Sequence, residues 1–360
     1  MRINSIDAVR GLTVAAMLLV NDAGDWSHIY PWLEHAEWHG CTPADLIFPV
    51  FMLIVGVSLQ LALGRQLEGG AGHGTNANAD ALLMRAVLLR GARIVLLGVV
   101  LNVISLLAMG GHGFRLLGVL QRIGICFALA GMIAIYLRSA PAQWAALAAI
   151  LLGYWALLAG SGGVEPNVNL ADRIDTALLG ALSYQYDVAT GLAHEPEGIL
   201  STLPALGTVI LGMRAGDWLR KGRIGMVALG GAVAMLIGGA WSLALPLNKQ
   251  LWTSSFVLWT GGFGMLAIAL AYQLIDIRGW PPLGRSMGVN AITAYAGSWL
   301  ATCLLAASGQ MGPIYESLFR VPLAPIFGQE FASMAFAASF TAVFWIAMAY
   351  AYKRGWRISI

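Results

Sequence analysis

The sequence predicts an all-α fold, a polytopic transmembrane bundle of about ten helices with both termini in the cytoplasm. The first observation is composition: 58% of the 360 residues are hydrophobic and only 11% are charged. Soluble domains carry roughly 25% charged residues, because polar side chains must cover their surface. The other two observations are apolar stretches of membrane-spanning length and an uneven distribution of basic residues. We predict that residues 1–360 form a single transmembrane domain.

The apolar stretches give the individual helices. A helix needs roughly 20 apolar residues to cross the hydrocarbon layer. Backbone polar groups must be satisfied inside the membrane, which favours helices over irregular segments. The first stretch is short and ends in polar residues. The predicted spans are residues 7–24, 43–64, 88–109, 115–137, 141–160, 199–216, 224–245, 251–273, 286–307 and 329–352.

The distribution of Lys and Arg orients the bundle, since basic residues collect in cytoplasmic loops. With the N-terminus inside, most of the 21 basic residues fall on the inner side, including Lys353 and Arg354 near the C-terminus. Two inner termini require an even number of spans. The six histidines then divide unevenly: His73 is inside, and the outer ones are His28, His35, His39, His112 and His194. The basic residues are dispersed, which argues against nucleic acid as a partner.

The first predicted outer loop, residues 21–45, is the densest group of polar side chains. A histidine beside carboxylates is suited to act as a general base or as a nucleophile. A solvated loop with its usual share of polar residues is the alternative. His35 and His39 have the spacing of metal ligands on a helix, but there is no third ligand nearby, so we expect no metal. The candidate site residues in this loop are Asn21, Asp22, His35, Glu37, Trp38 and Asp45.

Charged and aromatic residues mark other outer segments. Arg115 and Arg122 lie at the start of a span, where charges usually face a cavity or an ionic partner. A structural ion pair with an outer carboxylate explains them equally well. The long outer loop, residues 161–200, contains Glu197 and is either a lid over the site or a solvated loop. Lys249 and Trp252 have default interpretations as a snorkelling anchor and a member of the interfacial aromatic belt.

The inner side carries arginines that suit the phosphates of a nucleotide. Asp7 and Arg10 share one helix face at i, i+3, and a local ion pair accounts for them. The positive-inside rule predicts all of these arginines without any ligand. The candidates for phosphate contacts are Arg85, Arg90, Arg93, Arg278 and Arg285.

The first hairpin carries a specific resemblance. Its segments are Asp7-Ala8-Val9-Arg10-Gly11, Leu19-Val20-Asn21 and His35-Ala36-Glu37-Trp38-His39-Gly40-Cys41-Thr42-Pro43-Ala44-Asp45-Leu46-Ile47-Phe48-Pro49. The sequence resembles the membrane core of the heparan-α-glucosaminide N-acetyltransferase family and its bacterial NagX-type relatives. The likeness continues, in order, through residues 115–124, 196–198, 248–255 and 288–292.

The resemblance implies a transmembrane acetyltransferase. Acetyl-CoA would be taken as co-substrate from the cytosolic side, and the acceptor would be a glucosamine amine on the far side. The family's active-site histidine falls on His35 and its asparagine on Asn21, with Asp45 close behind. The bacterial relatives imply the inner membrane, and the family suggests a homodimer surrounded by lipid.

Two groups of binding residues follow from the resemblance and the polar pattern together. We expect Arg10, Arg93 and Arg285 to bind the co-substrate. The expected acceptor-side residues are Asp22, Glu37, Trp38, Arg115, Arg122, Glu197, Lys249, Trp252 and Asn290.

Two other classes of protein compete with the enzyme. A transporter for an amino sugar or its acetylated product explains the bundle and the buried arginines, but the sequence has no inverted repeat. A structural scaffold leaves the five outer histidines without an explanation.

Overall fold

The structure is a computed structural model that describes residues 3–69, 77–110 and 113–357. His73 and His112 lie outside these residues. Within them the chain is mainly helical, and its strands are one short antiparallel hairpin formed by β1 (Gln185–Tyr186) and β2 (Ala193–His194). The helices are α1 Asn4–Asn21, α2 Ile47–Gly69, α3 Ala77–Met109, α4 Val119–Tyr136, α5 Ala140–Gly160, α6 Leu170–Leu178, α7 Thr202–Arg220, α8 Ile224–Trp241, α9 Ser254–Ala271, α10 Arg285–Val289, α11 Ala291–Ala307, α12 Met311–Tyr315, α13 Val321–Phe327 and α14 Gln329–Lys353.

The helices confirm the predicted class, an all-α transmembrane bundle. In the described ranges, seven helices are long and apolar enough to cross a membrane, or up to eight if one bent pair is counted as a span. The predicted spans 7–24 and 199–216 coincide with α1 and α7, which are helical but less apolar. Almost every residue of α7 is buried, so it lies at the centre of the bundle. The total of ten and the cytoplasmic position of the termini stay predictions.

Three segments differ from the sequence-based expectation. Helix α3 has 33 residues and begins at Ala77, well before the predicted start at 88, with Asp80 in its first turn, where a negative charge favours the helix dipole. The predicted span 286–307 is broken at Asn290 into α10 and α11. Residues 311–327, expected to be a loop, form helices bent by 99° from α11. Gly309, with φ 68°, permits that bend, and the apolar sequence after it favours helix.

Glycines let the central helices approach closely, as small residues do in membrane bundles. A Cβ added to Gly56 on α2 would lie 2.0 Å from the carbonyl oxygen of Val209 on α7. One added to Gly288 on α10 would lie 1.8 Å from the carbonyl oxygen of Asp7 on α1. Backbone contact of this kind fixes α1, α2 and α7, and two of these helices line the site described next.

Candidate active site

A short turn before α2 holds His35 against Asp45. Thr42 precedes the 3₁₀ turn Pro43–Leu46, whose first residue is a proline, as is favourable at a helix start. The backbone N–H groups of Thr42 and Ala36 both donate to Asp45 Oδ2 at 3.0 Å. His35 Nδ1 lies 2.8 Å from the other oxygen, Oδ1, and Asp45 is fully buried. Asp45 is therefore fixed as an acceptor, and it orients the imidazole.

The pairing with Asp45 determines what His35 can do. An ionised carboxylate only accepts hydrogen bonds, so Nδ1 carries the proton and Nε2 carries the lone pair. The side chain of His35 is 38% exposed, and Nε2 is the ring nitrogen that does not contact Asp45. A histidine held in this way by a carboxylate is the arrangement that general bases use in acyl transfer.

Lys249 meets the same imidazole from the turn between α8 and α9. Its Nζ lies 3.0 Å from both ring nitrogens of His35 and 3.6 Å from Asp45 Oδ1. Burial lowers the pKa of Lys249 below its ordinary value, although Asp45 and Glu197 oppose that shift. The default interpretation of Lys249 as a snorkelling anchor is therefore wrong, because its ammonium faces the protein.

Side chains within the turn hold Lys249 in place. Asn248 Oδ1 accepts the N–H of Leu251 at 2.8 Å, and the N–H of Asn248 donates to Thr253 Oγ1 at 3.1 Å. Trp252 has φ 52°, a left-handed conformation that is uncommon for a bulky residue. Its ring is 1% exposed and donates from Nε1 to Thr208 Oγ1 at 3.0 Å. Trp252 is thus a buried side chain that supports the turn, and it is not part of an interfacial aromatic belt.

A cavity of about 70 Å³ opens beside His35. It brings together four residues that the sequence singled out: Asn21, His35, Glu197 and Lys249. The side chain of Asn21 makes no hydrogen bond to the residues that the structure describes, so its amide is available to a ligand. The remaining lining residues are Met17, Val20, Ala44, Ile47, Phe48, Val119 and Tyr295. Sequence reasoning missed Tyr295, since a tyrosine in an apolar stretch gives no signal.

Arg115 holds Glu197 at the cavity by direct contact, and the charge of Arg122 acts on it from nearby. Arg115 pairs with both Glu195 and Glu197, and its Nε lies 3.0 Å from Glu195 Oε2. Arg122 is 1% exposed, bonds to Ser201 Oγ and lies over the Trp252 ring at 5.1 Å. Burial alone would raise the pKa of Glu197, but Arg115 and Arg122 outweigh it and lower the pKa below its usual range. Of the two interpretations of Arg115, the ion pair is the one observed, with carboxylates of the long loop.

The long loop 161–200 packs against the first loop through Trp38. Trp38 Nε1 donates to the carbonyl oxygen of Val164 at 2.8 Å, and its ring lies 5.4 Å from that of His194. His194 Nδ1 lies 2.6 Å from Asp172 Oδ1 and its Nε2 lies 3.4 Å from Gln250 Oε1. These contacts join the long loop to the turn that carries Lys249.

A second cavity, of about 270 Å³, lies deeper along the same helices. It carries two arginines, Arg10 and Arg90, in an otherwise largely apolar wall. Arg10 donates to Ser58 Oγ at 2.6 Å and to the carbonyl oxygen of Gly288 at 3.1 Å. Arg90 lies over the Phe127 ring at 5.2 Å.

Five other predicted binding residues line neither cavity. Arg93 is exposed on α3, one turn from Arg90, and Glu37 is exposed in the first loop. Arg285 lies over the Tyr352 ring at 5.5 Å. Asn290 donates to the carbonyl oxygen of Trp356, and Asp22 accepts from Thr302 Oγ1 at 2.6 Å. Arg285 contacts α14, Asn290 contacts the segment after α14, and Asp22 contacts α11. Spacing within one element could not reveal these partners, because each lies in another element.

Metal and thiol chemistry have no support in the described residues. No group of three or more His, Cys, Asp or Glu side chains there is arranged to hold a metal ion. His39, the second histidine of the spacing noted above, lies 3.2 Å from Glu165 instead. Burial raises the pKa of the Cys41 thiol to about 12, so it stays protonated and is not a nucleophile.

Replacing Asp175 of α6 with asparagine should stabilise the protein at pH 8 by about 1–2 kcal/mol and have little effect at pH 4. Burial raises the pKa of Asp175 from 3.8 to about 6. The stability that its neutral form provides is therefore complete below the unfolded-state pKa and is lost as the pH rises through the folded-state value. Thermal melting of the detergent-solubilised variant and parent at both pH values measures the difference. The exposed Asp187→Asn of the same loop is the control and should give no gain at pH 8; an equal gain from Asp175→Asn at both pH values would contradict the burial argument.

Most of the chain, from α1 to the Lys249 turn, matches a known family. The family model for the catalytic part of heparan-α-glucosaminide N-acetyltransferase covers residues 2–251. The chain belongs to this family. The resemblance inferred from the first hairpin is thereby confirmed. His35, Asp45, Glu197 and Lys249 all lie inside the heparan-α-glucosaminide N-acetyltransferase match, whereas Tyr295 lies beyond it.

Two curated relatives carry the family's name. They are heparan-α-glucosaminide N-acetyltransferases of Homo sapiens and Mus musculus, 27% and 26% identical over 357 aligned residues. Each alignment covers 82% of this chain, and 52% and 53% of the respective relative. The chain thus spans about half the length of the curated relatives it matches.

Proposed function

We propose that this protein is a transmembrane N-acetyltransferase that moves an acetyl group from acetyl-CoA to the amine of a glucosamine-type sugar. His35 would act as the base, Asp45 would orient it, and the 70 Å³ cavity would hold the reacting groups. Family membership and the names of the two relatives support the reaction class. The His35 end of the bundle would face the outside of a bacterial inner membrane, and the Arg10 end would face the cytoplasm.

The observation that carries the proposal is the position of the two cavities, which follow one another along the same three helices. Phe48, Val119 and Tyr295 line the cavity at His35. Phe51, Ile123 and Ile292, three or four residues away on the same helices α2, α4 and α11, line the cavity at Arg10. Three or four residues make about one helical turn, or roughly 5.4 Å. A slender thioester arm entering from the Arg10 cavity therefore has only a short distance to cover.

The composition of the deeper cavity suits the donor. Arginine binds phosphate through paired N–H groups, and Arg10 and Arg90 stand in the wall of that cavity. The surrounding side chains are mainly aliphatic and aromatic, which suits an uncharged pantetheine arm. Arg90, which lines this cavity, is the arginine of α3 that we assign to the donor in place of Arg93, which does not.

The acceptor cavity supplies the groups that amide formation needs. His35 Nε2 would take a proton from the sugar ammonium, and the neutral amine would attack the thioester carbonyl. The Asn21 amide is available to stabilise the negative oxygen that develops. The C–S bond then breaks, and the thiolate takes up a proton. Asp45 stabilises the imidazolium throughout, as the carboxylate of a catalytic triad does. An acetyl-histidine intermediate is the alternative route through the same residue.

The test is a sealed vesicle containing the reconstituted protein, with acetyl-CoA inside and glucosamine outside. The expected result is N-acetylglucosamine in the outer solution with free CoA inside, in equal amounts. The Arg10 ends must face the lumen, which protease mapping of the termini establishes. Labelled glucosamine that accumulates inside unmodified would instead identify an amino-sugar transporter.

A further inference from the structure

Lys249 occupies the position that an acceptor amine needs. Its Nζ lies 3.0 Å from His35 Nε2, the nitrogen that would receive the proton of the attacking ammonium. It lines the same 70 Å³ cavity as Asn21 and Glu197. Its side chain is 18% exposed, and the bonds of Asn248 and Thr253 fix the turn beneath it. A primary amine, a base and the available Asn21 amide are thus together without any sugar.

We propose that Lys249 is itself an acetyl acceptor, so that the protein acetylates its own Nζ when the acceptor sugar is absent. This inference rests on the proposed function only for the acetyl-CoA donor. The surroundings also favour a nucleophilic amine, since burial lowers the pKa of Lys249 and enlarges its neutral fraction.

The reaction balances without a further reagent. His35 Nε2 accepts one proton from the Lys249 ammonium, and the Nζ lone pair attacks the carbonyl carbon of the thioester. The N–C bond forms and the C–S bond breaks. The second proton leaves Nζ for the departing thiolate, and His35 returns its own proton to solvent. The products are Nζ-acetyl-lysine, free CoA and one proton.

Acetylated Lys249 would be an inactive form of the protein rather than a carrier of the acetyl group. An amide does not pass its acetyl group to a sugar as a thioester does, so the modification persists. Acetylation also removes the positive charge that faces Asp45 at 3.6 Å and places a new group inside a cavity of only about 70 Å³. Acceptor shortage would therefore silence the site instead of leaving the thioester to hydrolysis.

The chain offers its own controls, because its three lysines are Lys221, Lys249 and Lys353. Lys221 lies 2.9 Å from Asp217 at the end of α7, and Lys353 ends α14. The intact protein is incubated with acetyl-CoA alone. It is then digested, and the masses of the lysine-containing peptides are measured by mass spectrometry. We expect Lys249 to gain one acetyl group at least about ten times faster than the two control lysines, a difference of about 1.4 kcal/mol in barrier. Added glucosamine should slow this gain.

His35→Asn separates catalysed from spontaneous acetylation, and its melting temperature checks that it folds. The variant should show Lys249 acetylated no faster than Lys221. Sugar acetylation by the parent without acetylation of Lys249 in sugar-free samples would overturn this inference and leave the proposed function intact. Acetylation of Lys249 without any sugar product would support this inference and contradict the proposed function. Equal acetylation of Lys249 in the parent and in His35→Asn would also overturn the inference.

Discussion

Replacing His35 with asparagine is expected to lower kcat for acetyl transfer by about 10²–10⁴-fold, the usual contribution of a general base. Asparagine keeps a hydrogen bond to Asp45 within reach but has no lone pair of suitable basicity, so the sugar amine stays protonated. The KM for acetyl-CoA should change little, because the donor arginines lie along α1 and α3 rather than at His35. Steady-state kinetics in detergent, with CoA release as the readout, measures both constants.

His39→Asn is the matched control for that prediction. His39 lies in the same loop, and its Nε2 faces the exposed Glu165 at 3.2 Å. Its replacement should leave kcat within about twofold, since a surface ion pair contributes little. Turnover by His35→Asn at the parent rate would refute the assignment of the base, whatever the class of the protein.

Replacing Gly56 with alanine should destabilise the bundle by at least about 2 kcal/mol, because overpacking forces backbone shifts. The added Cβ would lie 2.0 Å from the carbonyl oxygen of Val209 and 2.9 Å from the N–H nitrogen of Met213. Both are backbone atoms of α7, so no flexible side chain can move aside. The two helices would separate, and α2 also carries Phe48 and Phe51 into the two cavities. The expected result is a lower melting temperature together with reduced activity.

Gly153→Ala in α5 provides the comparison. A Cβ at Gly153 meets nothing within 4 Å, and the residue is exposed in mid-helix. Alanine favours helix over glycine, so the melting temperature should be unchanged or higher. A loss of stability in Gly153→Ala equal to that in Gly56→Ala would mean that glycine at these positions matters for some reason other than helix contact.

The sequence predicted the parts of this protein that local pattern determines. Apolar stretches predicted the transmembrane class, because hydrophobic length relates directly to bilayer thickness. The motif in the first hairpin predicted His35 and Asp45 as site residues. They lie ten residues apart and contact each other within a single loop. Their contact needs no information from the rest of the chain.

Contacts between distant elements were beyond the same reasoning. Lys249 is 214 residues from His35 in sequence, and only the packed bundle brings them together. Arg115 meets Glu195 across 80 residues, so sequence alone left its role open between ligand and ion pair. The break at Asn290 and the bend after α11 were missed because apolar composition predicts burial in lipid but does not predict where a helix ends.

Apolar side chains line both cavities where they follow one another along α2, with Phe48 in one wall and Phe51 in the other. Moving a bare ion past such side chains costs several kcal/mol or more, because they do not replace its hydration shell. An uncharged acyl thioester meets no comparable electrostatic barrier. On the proposed function, a cell that exports acetyl groups through this protein therefore keeps its proton and sodium gradients intact.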